Sequence, residues 1–130
     1  MLPYLKKLKI DRLTYVIASH YDADHIGGLD EVITGLGAKK IGTAYDRGTK
    51  PAPKPTSSYK DYAKAAGTRR KTLKLGQEIS LGSGAFLKCV ARNGTVKGKK
   101  TIAHSAENEN NLCVALLLVH KRFRYLTAGD

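Results

Sequence analysis

A short apolar run from Leu13 to Ala18 ends in Ser19-His20-Tyr21-Asp22-Ala23-Asp24-His25-Ile26-Gly27-Gly28. Two imidazoles and two carboxylates, His20, Asp22, Asp24 and His25, fall within six positions. Such groups are costly to bury next to a hydrophobic strand unless they share a partner. A metal ion at the strand end is the partner that suits this donor set. Mixed nitrogen and oxygen donors favour zinc, manganese or iron, whereas an all-oxygen set would favour magnesium or calcium. The competing reading is a polar turn in which Asp24 caps a helix. Four potential ligands in one alternating pattern weigh against it.

The remaining pattern predicts alternating helices and strands. Pro3 suits the first turn of a helix over 3–9. Residues 13–19 read as a buried strand. Leu29, Val32, Ile33 and Leu36 share one helical face, and Gly37 is placed to end that helix. A short strand is expected over 40–44. Residues 46–58, with prolines at 51, 53 and 55, read as an extended surface loop beside the site. Ser57 or Ser58 is expected to cap a helix running to Ala66. Strands follow over 72–75, 78–81, 85–91, 112–119 and 123–127, separated by Gly76, Gly82-Ser83-Gly84, Asn93-Gly94 and His120-Lys121. Asn93-Gly94 is by itself a hairpin signal. This mix predicts a layered α/β fold.

The chain of 130 residues is long enough for one core. It has no apolar run of the roughly 18 residues that a bilayer span needs. Its opening, Met1-Leu2-Pro3-Tyr4-Leu5-Lys6-Lys7, lacks the apolar stretch of a secretory leader. Cys89 and Cys113 both sit in apolar, strand-like runs and read as small buried hydrophobes. The net charge is +12, from 23 Lys and Arg against 11 Asp and Glu. The basic residues are dispersed, which predicts a folded basic face attractive to polyanions such as nucleic acid.

The first cluster resembles the leading metal motif of the metallo-β-lactamase superfamily, His-x-(His/Asp)-x-Asp-His. Phe123-Arg124-Tyr125-Leu126-Thr127-Ala128-Gly129-Asp130 resembles that family's strand ending in (Thr/Ser)-x-Gly-Asp. Asp22 stands where more familiar members carry a second histidine, and Ile26-Gly27-Gly28-Leu29 follows. Together with the Asn-rich lead Glu107-Asn108-Glu109-Asn110-Asn111-Leu112-Cys113-Val114, this is similar to the ComEC/Rec2-like branch. The resemblance implies an αββα sandwich, incomplete at both ends, so that residues 1–130 are a partial hydrolase domain.

The resemblance also implies a ligand set. His20 and Asp22 would serve one metal, Asp24 and His25 a second, with Asp130 bridging and Asp24 also orienting the attacking water. One or two divalent ions are expected, zinc first and manganese as the alternative. Many members place a histidine just before the strand that starts here near Cys113. Glu107-Asn108 occupies that place, which implies a weaker first metal position, and His104 is the nearby candidate to compensate.

A metal-activated hydroxide acting on phosphodiesters, as a nuclease or phosphodiesterase, is the function expected from these ligands and this charge. The alternatives are another hydrolase on the same fold (lactamase, lactonase or thioesterase) and a non-catalytic polyanion-binding module.

Overall fold

Three parallel strands form the first sheet of the computed structural model, which describes residues 1–99 and 108–130. They are β1 (Leu13–Ile17), β2 (Ile41–Asp46) and β3 (Arg70–Thr72), in that spatial order. Parallel neighbours require a crossover, and helices supply both. Between β1 and β2 run the one-turn helix α2 (Ala23–Ile26) and α3 (Leu29–Leu36), while α4 (Ser57–Ala66) joins β2 to β3. Helix α1 (Leu2–Lys7) precedes β1, with Pro3 in its first turn.

The apolar spacing on α3 is realised. Val32 and Ile33 are buried, and Leu29 and Leu36 pack half-buried against the same cluster. This first core lies between the helices and the parallel sheet: Val16, Ala18, Ile41 and Ala44 meet Ile26, Ile33, Tyr62 and Ala66. Gly37 ends α3 as expected, and Gly67 ends α4. The cap of α4 is Thr56, whose hydroxyl accepts from the Tyr59 N–H at 3.2 Å. Ser57, expected as a cap, is therefore the first helical residue, one position after the observed one.

The second sheet is antiparallel. It contains β4 (Glu78–Gly82), β5 (Ala85–Arg92), β6 (Thr95–Val96), β7 (Ala115–His120) and β8 (Phe123–Ala128). The order is β4-β5-β7-β8, with β6 paired to β5. Asn93 and Gly94 turn β5 into β6 with φ of 50° and 70°, the left-handed pair that a two-residue hairpin requires. A second core fills the space between the sheets. Leu73, Ile79, Cys89, Val114 and Leu116 are buried there, with Tyr15, Ile17 and Tyr45 of the parallel sheet packed against them.

The strands expected from 72 and from 112 start elsewhere, while the others shift only at their ends. The segment expected over 72–75 pairs instead as β3, two residues earlier, because Ala44, Tyr45 and Asp46 of β2 take Arg70, Lys71 and Thr72 as partners. Leu73 then leaves the sheet and turns into the inter-sheet core. The strand expected from 112 starts at Ala115, because Glu109–Leu112 wind into a 3-10 turn. Both cysteines are free thiols, Cys89 buried and Cys113 half-buried. His104, Glu107 and Lys100 lie outside the described residues.

Leu73 has no exposed surface and sits where the parallel sheet hands the chain to the antiparallel one. Leu73→Ala should lower unfolding free energy by about 2–5 kcal/mol, read as a shift of the urea midpoint with little change in slope.

Candidate metal centre

β1 ends at Ile17, and the chain leaves the sheet with Ala18 and His20 buried. The Ala18 N–H still donates to the Tyr45 carbonyl at 2.9 Å, so the loop departs from a fixed point. His20 is fully buried, and its Nδ1 lies 3.1 Å from Ser19 Oγ. Nδ1–H donating to that hydroxyl leaves the lone pair on Nε2, which has no hydrogen-bond partner among the described residues. Burial and the neighbouring His25 imidazole push the His20 pKa below its usual value, against the pull of Asp22 and Asp130. The ring is therefore held neutral, as a metal ligand must be.

Asp22, His25 and Asp130 gather about the His20 ring, while Asp24 stands outside them beside His25. Asp22 occupies the N-cap position of α2, yet its carboxylate makes no cap hydrogen bond. Its Oδ2 lies 3.6 Å from His20 Nε2 instead. His25, in the last turn of α2, stacks at 4.0 Å between ring centroids on His20 and places Nε2 2.9 Å from Asp130 Oδ1. Asp24 Oδ2 stands 3.5 Å from His25 Nε2, with its side chain 77% exposed. His20, His25 and Asp130 each offer a donor atom within 4.8 Å of the others. Asp22 and Asp24 flank this trio on the His20 and His25 sides respectively. An orphaned imidazole lone pair facing two carboxylates and a second imidazole fits a divalent cation of the zinc or manganese kind.

Asp130 reaches the cluster because Gly129 allows it. A Cβ at position 129 would stand 2.7 Å from both His20 Nδ1 and Cys113 Sγ, and 2.9 Å from Ser19 Oγ. Only a glycine lets the end of β8 pass this close to the end of β1. Cys113 thus borders the site, although it is not one of the three converging donors. Burial, then the Asp130 carboxylate, pushes its thiol pKa up to about 11, so it stays protonated at neutral pH.

Beneath the loop lies a polar floor that sequence reading missed. Glu109 Oε1 accepts the Tyr21 N–H at 2.9 Å, directly after His20. The same carboxylate takes a two-pronged bond from fully buried Arg47, at 2.5 Å from Nε and 2.7 Å from Nη2. The Arg47 guanidinium lies 4.4 Å from the centroid of the Tyr21 ring. The Tyr21 hydroxyl donates to the Gly48 carbonyl at 3.0 Å and accepts from Arg70 Nη2 at 2.7 Å. Arg70 Nε also bonds to buried Asp46, which accepts from the Tyr62 hydroxyl at 3.1 Å. Burial, with Asp46 adding to it, raises the pKa of both Tyr21 and Tyr62, so both remain neutral donors. Glu109 lies in the Asn-rich lead that the sequence did single out, two residues past the place where a family histidine was sought. Arg47 had no local signal.

A family model described as Metallo-beta-lactamase superfamily matches residues 1–86, more than half of the chain. The match includes His20, Asp22, Asp24 and His25, and ends before Glu109 and Asp130. No curated protein matches the chain.

Glu109→Gln should destabilise the fold by about 3–5 kcal/mol in chemical denaturation, because it leaves the buried Arg47 charge without its counterion. The double replacement Arg47→Met/Glu109→Leu should recover most of that loss.

Proposed function

Because the chain belongs to the metallo-beta-lactamase superfamily, we propose that it carries the metal centre of a divalent-metal-dependent hydrolase whose substrates are phosphodiesters. Membership in that superfamily by itself suggests a metal-dependent hydrolase. The observation that carries the reading of the site is the buried, unpartnered His20 Nε2, facing Asp22, His25 and Asp130. The helix layer and two stacked sheets support the αββα sandwich. Asp22 in the second ligand position and the Asn-rich lead support the ComEC/Rec2-like branch.

His20, His25 and Asp130 would hold the first ion, with Asp22 and Asp24 completing one site or supplying a second. A divalent ion there supplies Lewis acidity toward a phosphoryl oxygen and makes water a stronger acid. Zinc fits the two imidazoles best, and manganese the three carboxylates. The protein's own groups do the rest. Ser19 fixes the His20 ring through Nδ1, so its lone pair points in one direction. Glu109 pins the backbone at Tyr21, which keeps that ring in place. Asp24, exposed beside His25, would orient the attacking water and take its proton.

The choice of phosphodiesters rests on charge. A net +12 raises the local concentration of phosphorylated substrates and has no comparable value for small neutral lactams or lactones.

In the zinc- or manganese-loaded protein, Asp24→Ala should reduce turnover of bis-p-nitrophenyl phosphate by roughly a hundredfold or more. Lactam or lactone turnover far above phosphodiester turnover would overturn the substrate choice. Gly129→Ala should weaken metal binding, measured by titration with cobalt as a spectroscopic substitute for zinc, because the added methyl drives Asp130 away from His25.

A further inference from the structure

All three strands of the parallel sheet end on the same side. The register places Ile17 of β1 level with Tyr45 of β2, and Tyr45 level with Lys71 of β3. His20 therefore leaves the sheet at the same height as the Arg47–Lys50 loop and the 73–77 turn. The turn lies two strand spacings from β1, about 10 Å. Ligands of open sheets gather in the crevice at such carboxyl ends.

The side chains presented along this edge are basic. Gly48, Thr49, Lys50, Thr72 and Arg92 line one shallow cleft. Thr72 also lines the next cleft, together with Lys71 and Lys74. Lys97 closes the far end, its Nζ lying against Gly76, where an added Cβ would stand 2.9 Å away. Neither cleft lining contains a carboxylate. Lys50, Lys71, Lys74 and Lys97 are exposed, and among the described residues neither these four nor Arg92 takes part in an ion pair. The strip is also held in shape. Asn93 Nδ2 donates to the Lys50 carbonyl at 2.8 Å, and Arg92 Nη1 donates to the Arg47 carbonyl at 2.9 Å.

We propose that Lys50, Arg92, Lys71, Lys74 and Lys97 form a track for the phosphate backbone of a polynucleotide, leading along the carboxyl edge of the parallel sheet into the His20–His25–Asp130 cluster. The track rests on the phosphodiester reading above and names the partner it serves. Unpaired cations in a row suit a linear polyanion, because each neutralised phosphate releases condensed counterions. A compact phosphate monoester would meet only one or two of them. No side chain in the strip is aromatic apart from Tyr45 at the base of one cleft, so recognition is of the backbone rather than of stacked bases.

The test measures binding of a fluorescein-labelled single-stranded oligothymidine by anisotropy, over a range of salt, with EDTA present so that nothing is cleaved. The triple variant Lys50→Gln/Lys71→Gln/Lys74→Gln removes three track charges. The triple variant Arg12→Gln/Lys39→Gln/Lys40→Gln removes three from the opposite, amino ends of β1 and β2, about 17 Å away along the strand. The track variant should bind roughly tenfold more weakly or worse at low salt, and the slope of log Kd against log salt should fall by about 2. The amino-end variant should keep both within about twofold. Equal losses in the two variants, or an unchanged slope in the track variant, would overturn the proposal. Hydrolysis of bis-p-nitrophenyl phosphate by the unmodified, metal-loaded protein reports separately on the catalytic reading. Turnover without a track effect overturns the track alone, while a track effect without turnover overturns the phosphodiester chemistry and sustains the surface.

Discussion

The buried pair of Arg47 and Glu109 is the interaction on which the site depends. Neither charge reaches solvent to any extent, so each is tolerable only because of the other. Geometry makes the pairing effective: both carboxylate oxygens are engaged by one guanidinium fork, and Oε1 has a further donor in the Tyr21 backbone. The pair thereby ties together the end of β2, the turn before β7 and the loop that carries His20. Asp46 and Arg70 form a second buried or half-buried pair alongside. Two cations and two anions balance beneath the site, and three tyrosines spend their hydroxyls on the same network. Directed bonds of this kind fix orientation in a way that apolar packing alone does not.

The cluster itself forms at a seam. His20 and His25 come from the segment after β1 of the parallel sheet, and Asp130 from the end of β8 in the antiparallel one. The seam is closed by backbone contacts: the Val114 N–H donates to the Ser19 carbonyl at 2.8 Å, and Gly129 lies against His20. The inter-sheet core of Leu73, Cys89, Val114 and Leu116 lies behind that seam and fixes the spacing of the two sheets. Donor geometry at the site is therefore a readout of how the sheets stack.

What the sequence disclosed follows from how local each signal is. His20, Asp22, Asp24 and His25 announce themselves because they are adjacent, and α3 because Leu29, Val32, Ile33 and Leu36 repeat at helical spacing. The Asn93-Gly94 turn is equally local, since its left-handed backbone selects those residues. Asp130 was singled out through its motif rather than by spacing, and the fold brings it to His25. Arg47 and Glu109 were missed because a charged residue in a polar segment looks solvated, and nothing nearby marks a partner 62 positions away. The β3 limits were missed for a related reason. Leu73 and Leu75 alternate like strand residues, but pairing with β2 selects Arg70–Thr72, and the leucines belong to the chain crossing between layers. Thr56 displaced Ser57 as the cap because three adjacent hydroxyl residues are equivalent to pattern reading.

The bond from Tyr21 to Glu109 closes a loop of 88 residues, and that from Arg47 closes one of 62. Contacts of such sequence separation are made late in folding, since loop closure must precede the stabilisation they bring. The parallel sheet and its helices hold two imidazoles and two carboxylates from the first quarter of the chain, yet their backbone support arrives only with the last quarter. During synthesis the ligand loop is thus exposed well before it is set. A divalent ion held by these residues would then be captured in the correct geometry only once β7 and β8 have docked on the parallel sheet.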